Sequence, residues 1–339
     1  MNLSIRFPRL WSLPILFALS LYGAAFAAEP DSGKVTGAYS VIHTVANLEK
    51  SAAFYRDVVG LSPDASSVFA SGGGHEIQAL TNAPGARVIS QSFQIPGSEL
   101  HLVLLQFSGI EQKHVDSHIQ DPGVVKLVIR VRDMDMSFAA VHALHLPVYS
   151  TGGAPVHPEG PEQRVQAVIL RDPDGFALEF VLANEDVKTT APAASNVVGG
   201  WASLVIEDLG PTLKFYGEQL GFKINNKRPL PPSVLALEGT PDASVTNVGT
   251  RPPGSNFTWF IYDFRNIDRK TLHSRIQDVG SSSIALLATN LPSLLDSMKK
   301  AGVKIESSSG APLNLDSHTK AVSIRDPSGI PIELVERSE

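Results

Sequence analysis

Two late stretches of the chain carry one acidic pattern: Arg171-Asp172-Pro173-Asp174-Gly175 followed by Glu179, and Arg325-Asp326-Pro327-Ser328-Gly329 followed by Glu333. Carboxylates held at fixed spacing can act as acid or base, or as oxygen ligands for a divalent cation. Ten histidines are available to complete such a set. The absence of cysteine excludes thiolate metal sites, disulfides, cysteine nucleophiles and lipid attachment at an N-terminal Cys. His114 and His118 have helical spacing near Asp116, but their segment ends at Asp121-Pro122-Gly123 and reads as a surface loop. His157, between two prolines, could sit on a lid, and His318 holds the matching loop later in the chain; both are expected in solvent. No nucleotide fingerprint, P-loop, HExxH helix or GxSxG elbow occurs.

The elements that must position these groups repeat themselves. The acidic patterns are 154 residues apart (325 minus 171), and Phe54-Tyr55 with Gly60 recurs as Phe215-Tyr216 with Gly221, 161 residues on (215 minus 54). Two tandem domains follow, residues 36–182 and 199–337, joined by a small and polar linker over 183–198. Each domain halves again. Four times a strand-like run, Tyr39 to Val45, Val124 to Val131, Trp201 to Ile206 and Ser283 to Ala288, ends at an Asn or Asp able to cap a helix: Asn47, Asp133, Asp208 and Asn290. The first helix places Leu48, Ala52, Tyr55 and Val59 on one face, and glycine or proline ends each helix. Short strands follow, among them Leu100 to Phe107, Val165 to Leu170, Phe257 to Ile261 and Ala321 to Ile324. The fold class is α+β, built of four βαβββ modules, with the acidic patterns as hairpin turns.

Composition narrows the function. With 28 basic and 34 acidic residues the net charge is -6, so no basic field exists to neutralise nucleic-acid phosphates. Arg6 and Arg9 precede an apolar stretch from Leu10 to Tyr22, then Ala25-Phe26-Ala27. Residues 1–27 therefore read as a secretory signal peptide cleaved after about Ala27, too short and too interrupted for a membrane anchor, and the mature protein is expected in the periplasm or secreted.

The sequence of a strand, Asn47-Leu48-Glu49-Lys50-Ser51, Phe54-Tyr55 and finally Arg171-Asp172-Pro173-Asp174-Gly175-Phe176-Ala177-Leu178-Glu179 resembles the vicinal oxygen chelate superfamily of glyoxalases, bleomycin-resistance proteins and extradiol dioxygenases. The likeness covers nearly all of the mature chain, twice. It implies mixed sheets curled around cavities, each formed by a pair of modules, with a divalent metal held by residues of the first and last strand of each module. The family's first-strand positions fall on Ser40, Lys126, Trp201 and Ser283, and its last-strand positions on Val103, Glu179, Phe260 and Glu333. Each domain thus keeps one plausible ligand of four, fewer than an open catalytic metal site needs. The resemblance also sets Lys126 beside Glu179, its ammonium standing where the cation would sit. His101, two residues before Val103, has the cavity phase and is the best spare ligand or general base. His43 is opposite in phase to Ser40 and is expected on the helix-covered side unless a bulge inverts the strand. Trp201, Phe260 and Trp259 are expected near the second cavity.

The expectation is an exported small-molecule-binding protein, its ligand in the cavity of the first domain, with no cofactor and with enzyme status open. The alternative is a metal-dependent lyase, isomerase or extradiol dioxygenase with one Zn, Mn, Ni or Fe held by Glu179, His101 and His43. A monomer or homodimer is expected, since duplication already supplies paired modules within one chain.

Overall fold

The computed structural model describes residues 1, 32–64, 74–157, 166–184 and 186–338, so the expected leader lies almost wholly outside them. The α+β architecture of four modules is present. Module one contains strand β1 (Lys34–Thr44), helix α1 (Leu48–Ala53) continued by a π-turn (Phe54–Val59), β2 (Ser62–Asp64), helix α2 (His75–Leu80), β3 (Arg87–Gln94) and β4 (His101–Ser108). Module two contains β5 (Val125–Val131), α3 (Met134–His142), β6 (Ala167–Arg171) and β7 (Ala177–Leu182). Module three repeats module one: β8 (Val197–Val205), α4 (Leu209–Lys214) with its own π-turn (Phe215–Gln219), β9 (Lys223–Pro229), α5 (Pro232–Leu237), β10 (Ser244–Arg251) and β11 (Trp259–Arg265). Module four contains β12 (Ser282–Thr289), α6 (Leu291–Lys300), the short β13 (Lys304–Ile305) and β14 (Leu313–Asn314), β15 (Thr319–Arg325) and β16 (Pro331–Arg337). The caps are those expected: the side chains of Asn47, Asp133, Asp208 and Asn290 each accept a first-turn amide.

The repeats and the sheets divide the chain differently. A nine-stranded sheet joins modules one and four, with β1 antiparallel to β12 at its centre, and a seven-stranded sheet joins modules two and three, with β5 antiparallel to β8. Each concave face therefore draws on both repeats. Ser40 and Val103 share a face with Ser283 and Glu333, whereas Lys126 and Glu179 share one with Trp201 and Phe260. The grouping expected from the tandem order is corrected accordingly.

The helices lie between the sheets, where alternate residues of the central strands (Val41 of β1, Leu127 and Ile129 of β5, Leu204 of β8, Leu286 of β12) meet Phe54, Tyr55, Phe215 and Tyr216 in one core. Two smaller clusters cover the concave faces: Ile77 and Leu80 of α2 pack on one with Ile42, Val103 and Val335, and Leu235 and Leu237 of α5 pack on the other with Val205 and Tyr262. Trp259, expected near a cavity, is instead buried on the helix side against Phe222. It is one residue out of phase with Phe260, so strand alternation sends it to the opposite face.

The acidic hairpins pin the sheets together. Asp172 Oδ1 accepts the amides of Asp174 (2.9 Å) and Phe176 (2.8 Å), closing its own turn around Gly175 at φ 92°. Its Oδ2 accepts the Tyr55 hydroxyl at 2.8 Å and lies 3.1 Å from His43 Nε2. Tyr55 and His43 belong to the module of one sheet and Asp172 to that of the other. The second repeat builds the same pin from Asp326 and Tyr216 (3.2 Å), with Leu204 at the position of His43. The outcome differs. The Asp172 carboxyl stays below its ordinary value because His43 and its hydrogen bonds outweigh burial, whereas burial drives Asp326 up to about 6.

A His43→Leu substitution should raise the Asp172 carboxyl toward the value of Asp326, which carboxyl-carbon NMR would record directly. The sign of the stability effect follows. Asp172, lowered when folded, contributes stability above its ordinary 3.8 and loses it as pH falls through the folded value. His43, raised when folded, contributes below its ordinary 6.5 and loses it as pH rises. The stability difference between wild type and His43→Leu should be largest between those two values. A flat difference in denaturation free energy across pH 4 to 8 would contradict the pairing.

Candidate functional site

The concave face of the seven-stranded sheet concentrates charge in a way the other does not. Lys126, fully buried, projects from β5 between two carboxylates: Nζ lies 2.9 Å from Glu179 Oε2 on β7 and donates to Glu238 Oε1 at 2.7 Å. It also lies 4.8 Å from the centre of the Tyr262 ring. Burial alone would lower the lysine pKa, but Glu179 and Glu238 reverse the effect and hold the ammonium charged. Glu238 is pushed up by burial and by the charge of Glu179, only partly offset by Lys126. Two carboxylates thus compete for one ammonium.

Local sequence fixes Glu238 in place. It directly follows α5, whose start is set by Pro231 and Pro232, and Ser150 Oγ donates to the Leu237 carbonyl at 2.8 Å. Gly239 then passes so close to Tyr149 that a Cβ would lie 2.1 Å from its carbonyl oxygen, which only glycine at φ 68° permits. Glu238 escaped sequence reasoning because its helix is an insertion between the second and third strands of its module, and neither repeat periodicity nor the turn motif marks it.

Arg130 lies two residues beyond Val128 on the same strand face as Lys126. Its guanidinium sits 5.0 Å from the Trp201 ring, and Trp201 in turn meets Phe260 edge-on at 6.4 Å. Arg130 is half-buried, burial lowers its pKa, and no ion pair or hydrogen bond satisfies it among the described residues. Period-two alternation from Lys126 through Val128 could have found it.

On the nine-stranded face, Ser40, His101, Ser283 and Glu333 share the concave side with Val103. Glu333 is fully buried, and burial pushes its carboxyl up to about 8, only partly offset by the Ser283 hydroxyl and the charge of Arg325. His101 stacks on Tyr39 at 5.2 Å, and its Nε2 is 3.1 Å from Asp64. The proposed metal set of His43, His101 and Glu179 is therefore not assembled. His43 faces the helices, since the bulge in β1 lies between Ala38 and Ser40, ahead of the strand segment that fixes the phase of His43; His101 faces the opposite side of that sheet; Glu179 belongs to the other sheet. His114, His118, His157 and His318 are exposed in loops, as expected.

A different group, His43, Asp172 and Asp174, has donor atoms within 4.8 Å of one another and the chemistry to hold a divalent ion. Its donors are already engaged. Beyond the bonds to Asp172 given above, Asp174 Oδ1 accepts the Ala46 amide at 2.9 Å, Oδ2 accepts Ser51 Oγ at 2.5 Å, and His43 Nδ1 lies 3.2 Å from the Ser281 carbonyl. The group fits a structural cluster better than a metal centre, because a cation would have to displace these hydrogen bonds.

Residues 38–180 and 199–334 match the Glyoxalase/Bleomycin resistance protein/Dioxygenase superfamily, and the chain belongs to that family. Its fold is similar to that of glyoxalase I from Zea mays (TM-score 0.56, 16% identity, covering 90% of this chain and 92% of that one). It is also similar to a putative dioxygenase from Bacillus subtilis subsp. subtilis str. 168 (TM-score 0.53, 16% identity, covering 90% and 86%). At these identities the likeness is one of fold alone. No curated protein matches the chain.

Lys126→Met should strand two buried carboxylates and cost about 3–5 kcal/mol of unfolding free energy by chemical denaturation. Replacing Lys126, Glu179 and Glu238 together by leucine or methionine should recover most of that loss, because an apolar cluster of similar volume carries no desolvation penalty.

Proposed function

We propose that the protein is an exported small-molecule-binding member of its family that works without a metal. Its ligand occupies the concave face carrying Lys126 and Glu179, a face that Trp201, Phe260 and Arg130 complete. The observation that carries this reading is the half-buried Arg130 guanidinium, stacked on Trp201 and without a carboxylate partner among the described residues. Guanidinium groups recognise carboxylate and related anions through paired donors, and an aromatic face beside one offers a flat apolar platform. The ligand class that fits is an aromatic or otherwise flat apolar molecule bearing one acidic group. Lys126 supports the metal-free reading, because its ammonium and the two glutamates fill the position at which the family holds a cation.

A metal-dependent enzyme would rest on His43, Asp172 and Asp174, the one such group among the described residues. Elemental analysis of gently purified protein decides between the readings. Well below one metal per chain, with no thermal shift on adding Zn, Mn, Ni or Fe, is expected; one metal per chain lost in His43→Ala would overturn the metal-free reading.

The ligand reading has its own test with 2-naphthoate as probe, followed through tryptophan fluorescence. Arg130→Ala should weaken binding about tenfold or more, the worth of one charge-assisted contact, and Trp201→Ala should abolish the optical response. Equal affinity for 2-naphthoate and uncharged naphthalene-2-carboxamide would remove the acidic group from the ligand class. Cell fractionation should recover the protein outside the cytoplasm, shortened at about Ala27.

A further inference from the structure

The two concave faces share one register but balance their glutamates differently. Lys126 stands two residues before Val128, the partner of Glu179 across β5 and β7. Ser283 stands two residues before Ala285, the partner of Glu333 across β12 and β16. Ser283 therefore occupies the place of Lys126. Thr81, directly after α2, likewise occupies the place of Glu238, directly after α5. The nine-stranded face thus retains one buried carboxylate and lacks the ammonium that its counterpart supplies from within the chain.

The vacated surroundings are polar and only partly partnered. Glu333, fully buried, has the Ser283 hydroxyl as its side-chain hydrogen-bond partner, and the hydroxyls of Ser40 and Ser92 are buried with no partner among the described residues. Buried polar groups are rarely left so, and several on one face of one sheet call for a donor. Ile42, Val103 and Val335 supply apolar wall around them. A cleft of about 70 Å³, lined by Thr81, Gln277 and Ser323 together with the charged Arg275, Glu306 and Arg325, opens beside the group, and Ser323 is the cross-strand partner of Glu333. That volume is enough for a few heavy atoms.

We propose that this face is a second binding site, distinct from the one beside Arg130, that takes a small primary alkylammonium ion from solution. The ammonium sits on Glu333 with the hydroxyls of Ser40 and Ser283, and the short chain lies on the apolar wall, as the Lys126 side chain does in the other sheet. An anion would meet the Glu333 carboxylate, and the guanidinium groups of Arg275 and Arg325 at the cleft are already paired with Asp278 and Glu306. A divalent metal would find a single carboxylate, because His101 is engaged with Asp64 and no other acidic or imidazole group joins Glu333 in a metal-holding cluster among the described residues. A monovalent metal would gain nothing from the apolar wall.

The atoms a lysine carries beyond Cβ are those of n-propylamine, which makes n-propylammonium chloride the probe. Calorimetric titration at about pH 9, where an ordinary alkylammonium is still protonated, should show saturable binding absent with potassium chloride or propan-1-ol. Binding should weaken about tenfold or more in Glu333→Gln, which keeps shape but not charge. It should vanish in Ser283→Lys, whose own side chain fills the site. No saturable binding in wild type, unchanged binding in Glu333→Gln, a retained response in folded Ser283→Lys, or equal binding of potassium or propanol would each overturn the proposal. Should Ser283→Lys fail to fold, the wild-type and Glu333→Gln titrations decide it.

Discussion

The two aspartate turns are the constraint on which the rest of the architecture depends. The strand ladders join module two to module three and module one to module four, so they leave modules one and two, and modules three and four, without a tie between them. Asp172 and Asp326 supply that tie. Each spends one oxygen closing its own hairpin and offers the other to a tyrosine from the opposite sheet. The tyrosines reach because α1 and α4 both widen into a π-turn at Phe-Tyr, a distortion that costs helix geometry and is retained where a side chain must be re-aimed. With α1, α3, α4 and α6 clamped between the sheets, the concave faces point outward, where α2 and α5 pack over them.

That arrangement explains which features could be read from sequence. The caps, the strand runs, the glycine stops and the duplicated acidic turns are local, and period-two or 3.6-residue patterns carry them. Phase carried further still. His43 on the helix side and His101 on the concave side follow from counting along strands, and the family resemblance implied Lys126 against Glu179. Pairing did not follow, because modules one and four are no closer in sequence than any alternative and the decisive contacts, Ser40 to Ala285 and Val128 to Trp201, are ordinary antiparallel ladder pairs without a signature. The same limit hid Glu238 and Asp64. Both approach their partners from inserted or edge segments whose position only the tertiary fold defines.

The acidic turns also show how a chemically suggestive motif can be absorbed by structure. Asp172, Asp174 and His43 have the composition of a metal site, yet each ligand atom is committed to a backbone amide, a hydroxyl or its neighbour. Removing the histidine, as Leu204 does in the second repeat, leaves the turn intact and changes only how strongly the carboxyl holds its proton. The histidine is therefore an electrostatic partner to a turn that can form without it.

Because each concave face draws one module from each repeat, the duplicated halves were free to diverge face by face. Trp201 and Phe260 stand where Ser40 and Val103 stand in the other sheet, and Lys126 stands where Ser283 does. One face became aromatic, its two glutamates sharing the Lys126 ammonium, with Arg130 unpaired among the described residues; the other became small and hydroxyl-lined, its Glu333 without an ammonium from the chain. Charge balance then separates their chemistry. On the readings proposed above, a face whose carboxylates already hold an ammonium offers its remaining positive charge to an anion, whereas a face whose glutamate lacks an ammonium is completed by a small cation. Two glutamates at one register position thus sit in opposite electrostatic surroundings, with a lysine beside one and a serine beside the other.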